Sequence, residues 1–345
     1  LNQSNETEYE ALDVSVDAGT GMIEISQGSG SAADTDNVGG TLAFTADTFT
    51  HSGWIDLDSG TVHIQTSGTG DGHGIFITDG GRITARGSYP DADADTGYDG
   101  GTIFYEAGQG EIVLAQGSVT DVSAGNGETT GENAGTIMIS NPEGNLTIAG
   151  DLLGNAGSGA GGSFIMDTRE YGSLSSLVSI LEQGGFSSKM DFRVRQGELS
   201  LADVQAHTGE FRLSVDTGSV QVSNTTIDAS GNEGGTIEIY SGADLTLSSD
   251  TSLLARGTDG SGGQIILSSG IAAGGFLDLN GATLDVSSDQ AIGGTVYLRA
   301  PRTNNDTDIG LSMAADINGA SSITVEAAKI YADTRIYSSD VNRAK

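Results

Sequence analysis

The fold of this chain is decided by residues 234–263, which read GGTIEIYSGADLTLSSDTSLLARGTDGSGG. A Gly-Gly pair opens the stretch, and three short runs of alternating apolar and polar residues follow it, separated by Gly, Ser and Asp. Such alternation is typical of β-strands with one buried and one wet face. A second pair, Gly262-Gly263, closes the stretch and opens the next one. These residues therefore predict a repeating unit of three short strands.

The same unit recurs along the chain. Gly-Gly pairs precede an apolar run at six positions, whose first residues are Gly39, Gly100, Gly161, Gly234, Gly262 and Gly293. Degenerate copies begin at His73, Ala134 and Thr208, and all steps between copies are 26–34 residues except one of 47. Propeller blades need about 40–50 residues, so the steps favour a parallel β-helix of about ten coils, an all-β rod roughly 50 Å long. Corner glycines are expected to supply positive φ angles, which Asn and Asp also tolerate.

The 47-residue step contains the one helical pattern in the sequence. Leu174, Leu177, Val178 and Leu181 are spaced i, i+3, i+4 and i+7, and Gly184-Gly185 follows them. We expect residues 170–188 to form a short helical excursion outside the coil. The rest of residues 1–345 is expected to be a single β-helix segment of a longer rod, because strand patterning continues toward both ends without a cap.

The composition excludes several classes of protein. Lys and Arg number 14 and Asp and Glu number 47, so the net charge is −33, which opposes nucleic-acid binding. No apolar run approaches the roughly 18 residues that a membrane-spanning helix needs, so we expect no membrane insertion. The chain has no Cys, which removes disulfides, thiol catalysis and Cys-based metal sites.

Several segments resemble a known family. Residues 181–186 (LEQGGF), 192–199 (FRVRQGEL), 227–231 (IDASG) and 293–302 (GGTVYLRAPR) are similar to the filamentous-haemagglutinin-like exoproteins of bacterial two-partner secretion. The resemblance covers about residues 100–331. It implies a right-handed parallel β-helix, surface adhesion, and export through an outer-membrane partner. The family's N-terminal secretion domain is missing, so that partner would engage a region outside this chain.

One acidic segment has the spacing of a calcium loop. Asp91, Asp93, Asp95 and Asp99 match positions 1, 3, 5 and 9 of an EF-hand, and such carboxylates suit Ca²⁺. Thr96 stands where the EF-hand has Gly, and the closing Glu is also absent. The alternative is therefore a solvated acidic turn. A weaker version precedes the first Gly-Gly pair, at Asp34, Asp36 and Asn37.

Candidate catalytic and sugar-binding residues are few. Gly72-His73-Gly74 resembles the Gly-His-Gly of β-helical polygalacturonases, but the chain has no Asp-Asp pair, which those enzymes also need. We therefore predict that the chain is not an enzyme, and we interpret His73 as a corner residue. Four aromatic residues could stack on sugars, although packing or loop roles are favoured: Trp54, Tyr89, Tyr98 and Tyr105. The remaining histidines, His51, His63 and His207, show no metal-site spacing.

These features predict a non-catalytic rod at the bacterial cell surface or in the extracellular space. The leading hypothesis is an adhesive segment of a large exoprotein, which binds ligands on host cells, neighbouring cells or other surfaces. One alternative is a filament subunit that stacks end to end with copies of itself. Another is the stalk of a contact-dependent toxin, whose activity would lie in a C-terminal domain.

Overall fold

The computed structural model describes residues 13–28, 38–88, 97–125 and 131–329, in which it contains thirty strands and one helix. The strands before the helix are β1 (Asp13–Asp17), β2 (Met22–Ile25), β3 (Thr41–Ala46), β4 (Thr48–His51), β5 (Trp54–Asp56), β6 (Thr61–Ile77), β7 (Arg82–Thr84), β8 (Thr102–Leu114), β9 (Val119–Asp121), β10 (Thr136–Asn141), β11 (Leu146–Ile148), β12 (Asp151–Leu153) and β13 (Ser163–Thr168). The helix, α1, spans Leu174–Gln183. The strands after it are β14 (Lys189–Val194), β15 (Leu199–Ala202), β16 (Gln205–His207), β17 (Glu210–Val215), β18 (Val220–Ser223), β19 (Thr226–Asp228), β20 (Thr236–Tyr240), β21 (Leu245–Leu247), β22 (Ser252–Leu254), β23 (Gln264–Ser268), β24 (Leu277–Asp278), β25 (Thr283–Asp285), β26 (Thr295–Thr303), β27 (Asp308–Ile309), β28 (Leu311–Ser312), β29 (Asp316–Asn318) and β30 (Ser322–Ala328).

The strands form the three faces of a parallel β-helix, as the repeat predicts. On the first face, twelve described strands pair in parallel in the order β1, β3, β6, β8, β10, β13, β14, β17, β20, β23, β26 and β30. The second face contains β2, β4, the ends of β6 and β8, and β11, and after the helix β15, β18, β21, β24 and β28. The third face contains β5, β7, β9 and β12, and after the helix β16, β19, β22, β25 and β29. Twelve coils are therefore described, against the expected ten.

The core is a set of columns that run along the rod axis. Strands of the first face bury alternate residues, and parallel pairing in register places each buried residue over its counterpart in the next coil. Ile237, Ile265 and Val296 form one such column, with at most 1% of each residue exposed. Because each coil buries its apolar face only against its neighbours, the stability of the rod comes from coil-to-coil stacking.

The Gly-Gly corner exists because neighbouring coils approach closely there. The carbonyl oxygen of Gly235 accepts a hydrogen bond from Gln264 N at 2.9 Å, which is a ladder bond between coils. A Cβ added to Gly263 would overlap that same oxygen, and a Cβ on Gly294 would overlap the carbonyl oxygen of Gly263. Only glycine fits between these carbonyls, so the stacked pairs mark one corner of every coil that carries them.

This close approach corrects the expected reason for the corner glycines. Positive φ angles occur at Gly39 (82°) and Gly40 (84°), but the later pairs at this corner do not have them. Left-handed residues instead mark the corner between the second and third faces, where Asp203 has a φ of 58° and Asn224 one of 44°. Asn224 Nδ2 donates to Asp203 Oδ1 at 2.6 Å, so these two turns are also linked across coils.

After the coil of β1, three coils begin without a Gly-Gly pair or a degenerate copy of one, which is why the sequence pattern misses them. Their first strands start at Thr61, Lys189 and Ser322, and small residues, Ser59-Gly60, Ser187-Ser188 and Ala320-Ser321, precede them. His73 is a corner residue, as predicted, but not at the Gly-Gly corner where coils begin. It lies within β6 where this strand bends from the first face to the second, beside a register shift between Thr69 and Gly74.

The helix forms at the predicted residues but not in the predicted place. Leu174, Leu177, Val178 and Leu181 are fully buried in the core, and α1 contacts β12, β15 and β16. Strands β13 and β14 pair directly in register on the first face, so a coil begins at Lys189 within the 47-residue step. The segment 170–188 is therefore not outside the coil: α1 occupies the second and third faces of one coil. Its apolar stripe continues the core where strands would otherwise do so.

The coils next to the helix concentrate ion pairs on the outer side of the first face. Arg195 donates two hydrogen bonds to the Asp167 carboxylate, each 2.8 Å long, and Arg193 donates two to Asp216, at 3.1 and 2.8 Å. These bonds raise the pKa of both guanidinium groups. In a chain with net charge −33, cations placed between acidic rungs reduce the repulsion between stacked carboxylates.

Candidate functional site

A groove on the third face brings together aromatic, charged and hydroxyl side chains. It has a volume of about 400 Å³ and is lined by Trp54, Ile55, Asp56, Asp58, Arg82, Thr84, Arg86, Gly87 and Ser88. Two adjacent strands build it, because β5 pairs with β7 in register, Trp54 opposite Arg82 and Asp56 opposite Thr84. Ile55 and Ile83 point into the core, so the residues on either side of them point outward into the groove.

Trp54 and Arg82 form a pair at one end of the groove. The guanidinium carbon of Arg82 lies 5.5 Å from the centre of the Trp54 ring, over its face, which is the geometry of a cation–π contact. Trp54 is nevertheless 61% exposed, so much of its ring is accessible to solvent. Within the described residues, no carboxylate lies within ion-pair distance of the Arg82 guanidinium.

Carboxylates and hydroxyls line the rest of the groove. Asp56 Oδ1 accepts a hydrogen bond from the Thr84 hydroxyl, which holds that carboxylate against the sheet. Arg86 Nε lies 3.6 Å from Oδ2 of Asp121, which is 5% exposed and belongs to the next strand, β9. The groove thus offers an open aromatic face beside fixed hydrogen-bond donors and acceptors, which is a binding arrangement.

A second cluster lies on β6 near the register shift. His73 Nδ1 is 2.7 Å from Oδ2 of Asp47 and 3.3 Å from the Thr48 hydroxyl. An Asp–His pair can orient a general base, but catalysis also needs a nucleophile or a substrate group placed at the other ring nitrogen. No described residue makes a hydrogen bond to Nε2 of His73.

The other histidines serve separate structural contacts. His63 stacks on Phe104 with ring centres 4.7 Å apart, and its Nε2 lies 3.2 Å from Glu106. His207 Nδ1 lies 2.6 Å from Glu182, on helix α1. Among the residues that the structure describes, no group of three or more His, Asp or Glu side chains could hold a metal ion.

His51 is fully buried in a core column on the second face, between Ile25 and Ile77. Its Nε2 contacts the carbonyl oxygen of Arg82 at 3.0 Å, while its Nδ1 has no partner. Burial lowers the pKa of His51 from the ordinary 6.5, because the charged ring would lose its hydration. The folded chain therefore favours the neutral ring.

We expect His51→Leu to make folding stability less sensitive to acid. In the unmodified protein, His51 of the unfolded state binds a proton as the pH falls below about 6.5, whereas His51 of the folded state still resists protonation. The free energy of unfolding is therefore highest above this pH and decreases as the pH falls. Leucine matches the aliphatic neighbours of the column and does not titrate. Urea unfolding of both proteins at pH 7 and pH 5 measures the difference, in which other titrating groups cancel. An equal loss of stability in the two proteins would contradict the assignment.

The predicted calcium loop lies mostly outside the described residues. Asp91, Asp93 and Asp95 fall there, as do Asp34, Asp36 and Asn37 of the weaker version. Asp99 is described, and its carboxylate accepts hydrogen bonds from Asn133 N at 2.7 Å and Asn133 Nδ2 at 3.2 Å. Asp99 therefore links two successive coils.

The aromatic candidates differ in accessibility. Tyr105 is fully buried, its hydroxyl lies 2.9 Å from Thr120 Oγ1, and burial raises its pKa, so it is a core residue. Tyr98 is 44% exposed, and Tyr89 lies outside the described residues. Of the three described candidates, Trp54 alone lines the groove. The sequence identified Trp54 but not the other groove residues: Arg82, which coil stacking places opposite Trp54, and Asp56, two residues further along β5.

Comparison with known proteins gives no relative. No family model, no curated protein and no solved structure matches the chain. The resemblance to filamentous-haemagglutinin-like exoproteins therefore stays a prediction. In the described residues, no helix is long and apolar enough to span a membrane.

Proposed function

We propose that the chain is a non-catalytic, extracellular rod of the bacterial cell surface, an adhesive segment of a large exoprotein. The observation that supports this proposal is the unbroken parallel ladder from β1 to β30. Twelve rungs at about 4.8 Å give a column roughly 50 Å long, whose backbone hydrogen bonds run along its axis. Such a column is suited to holding a binding surface away from a cell, and the groove beside Trp54 provides one.

Two measurements test the rod and its attachment. Electron microscopy of the purified chain should show separate rods about 50 Å long. Beads coated with the chain should attach to bacterial or animal cells more than beads coated with heat-denatured chain. Attachment that is equal for native and denatured coatings would contradict an adhesive role, and compact round particles would contradict the rod.

The proposal also predicts an absence of catalysis. Because the chain has no Asp-Asp pair to complete the Gly-His-Gly at residues 72–74, we expect no turnover of pectins, other acidic glycans or neutral polysaccharides. Product release would be followed by reducing-end assay and mass spectrometry. Turnover that His73→Ala abolishes, while His207→Ala leaves it unchanged, would overturn the non-catalytic assignment.

A second candidate, a filament subunit, is favoured by the two outermost described strands. Val14 and Val16 of β1 are 37% and 40% exposed, and Ile323 and Val325 of β30 are 45% and 44% exposed. Their paired residues in the next coil are half-buried (Leu42) or buried (Phe44, Val296 and Leu298). Exposed β edges invite pairing with another chain. Filaments seen at high protein concentration, lost in Val325→Lys but kept in the surface control Ile292→Lys, would favour this candidate over the isolated rod.

Calcium binding by residues 91–99 also remains a proposal. We expect millimolar Ca²⁺ to raise the melting temperature more than Mg²⁺ or NaCl at matched ionic strength, because specific carboxylate ligands add to the screening of net charge. Asp93→Asn should remove the additional rise in melting temperature that Ca²⁺ causes, whereas Asp278→Asn, in a distant coil, should leave it unchanged. Equal stabilisation by all three salts would indicate screening alone.

A further inference from the structure

We propose that the groove beside Trp54 binds a neutral saccharide, with one sugar ring packed on the open face of the indole. The proposal rests on the adhesive function above and names the chemistry of its ligand. Trp54 is the only tryptophan in the chain, it is 61% exposed, and it borders a groove that also contains charged and hydroxyl groups, a combination typical of small-molecule binding sites.

The ring face fits the apolar side of a pyranose. The C–H groups of a sugar ring carry slight positive charge, and the aromatic face carries negative charge, so the two surfaces attract while both lose contact with water. Arg82 covers one face of the indole and so holds the ring upright from the sheet. The opposite face is then presented to a ligand at little cost in side-chain entropy.

Polar groups that line the same groove can bind the sugar hydroxyls. Arg82, with no carboxylate partner in the described residues, has N–H groups available to donate. Asp56 accepts from Thr84 through one oxygen only, so its second oxygen can accept from a hydroxyl. The groove volume of about 400 Å³ lies within the range of small-molecule sites.

Charge selects a neutral saccharide over an acidic one. Two aspartates, Asp56 and Asp58, and two arginines, Arg82 and Arg86, line the groove. The buried carboxylate of Asp121 lies beside Arg86, so the groove carries no net positive charge. The net charge of the whole chain, −33, adds a negative electrostatic potential around the groove. A polyanionic glycan would be repelled on approach, whereas a neutral one would not.

The single tryptophan makes the test direct, because all tryptophan fluorescence reports on the groove. Maltohexaose, cellohexaose, mannohexaose and hexagalacturonate are titrated into the full chain, with emission and heat of binding recorded. We expect at least one neutral hexamer to shift the emission and to bind with micromolar to millimolar affinity. No emission change and no heat with any neutral hexamer at millimolar concentration would overturn the proposal. Tighter binding of hexagalacturonate than of all neutral hexamers would overturn the neutral class.

Variants assign the binding to the groove. Trp54→Ala should weaken binding by at least roughly tenfold and Asp56→Asn by less, because a central aromatic anchor contributes more than one polar contact. Phe276→Ala, which removes an aromatic side chain that is 44% exposed on another coil, is the control and should bind as the native chain does. Since Trp54 is exposed, its removal should leave the melting temperature unchanged. Equal affinity of Trp54→Ala and native chain would overturn the site.

The two proposals can fail separately. If coated beads attach to cells equally well with native chain and with Trp54→Ala, and no hexamer binds, the adhesive rod stands and the saccharide site is wrong. If hexamers bind but coated beads do not attach, the site stands and the adhesive function is wrong.

Discussion

Replacing Gly263 by alanine is expected to lower the free energy of unfolding by about 3 kcal/mol, the upper part of the range for overpacking. The new Cβ would overlap the carbonyl oxygen of Gly235, and that oxygen is held by the ladder hydrogen bond from Gln264 N. No rotamer change can relieve a clash between two backbones. The coils must therefore separate locally, which also weakens the stacking of the residues next to the corner.

Gly108→Ala is the matched control for this change. Gly108 is exposed, its φ is not positive, and nothing lies within 4 Å of the position that a Cβ would occupy. Thermal unfolding should show a lower melting temperature for Gly263→Ala by roughly 4 °C and no such decrease for Gly108→Ala. Equal melting temperatures would mean that the corner tolerates a methyl group, and the close-approach explanation of the Gly-Gly pairs would be wrong.

The repeat can be recognised in the sequence because the geometry of each coil requires particular residues at regular spacing. Glycine is required where two coils approach as closely as they do at Gly263 and Gly294, and the alternating run after each pair is required by burial on one side. The sequence therefore predicts the parallel β-helix. It does not predict the coils at Thr61, Lys189 and Ser322, because Ser and Ala in place of Gly also occur at that corner.

The helix shows a limit of a different kind. The spacing of Leu174 and its three partners identifies α1, because a helix of this kind depends on local periodicity. Its position depends on where the next strand joins the sheet, and Lys189 pairs with Ser163 across 26 residues. No residue pattern in the sequence next to the helix predicts that pairing. An apolar stripe that continues the core and one that covers the outside of the rod look the same in sequence.

The groove depends on coil register in the same way. Trp54 can be noted as an exposed aromatic candidate, but Arg82 and Thr84 become its neighbours only because β5 pairs with β7 in register. A shift of one residue would turn Ile83 outward and Arg82 into the core. The number of residues in a coil therefore decides which side chains become neighbours in a groove on this rod. A short sequence motif does not carry this information.

Phe192→Ala is expected to destabilise the chain more than any other change considered, by about 3–5 kcal/mol. Phe192 is fully buried, and its ring centre lies 5.9 Å from that of Phe164 and 5.8 Å from that of Phe211, so three successive coils share one aromatic stack. Its removal leaves a cavity that the fixed register of β13, β14 and β17 prevents from closing.

The position of this cavity predicts how the damage spreads. Because each coil is stabilised only by its neighbours, a weakened coil in the middle of the rod should loosen the coils on both sides of it. Hydrogen exchange should therefore accelerate most in β13, β14 and β17, with smaller changes toward β1 and β30. The same truncation at the exposed Phe276 should cost less than about 1 kcal/mol and leave exchange in these strands unchanged. Uniform acceleration along the whole chain in Phe192→Ala would show that the rod unfolds as one unit, and the nearest-neighbour account of its stability would be wrong.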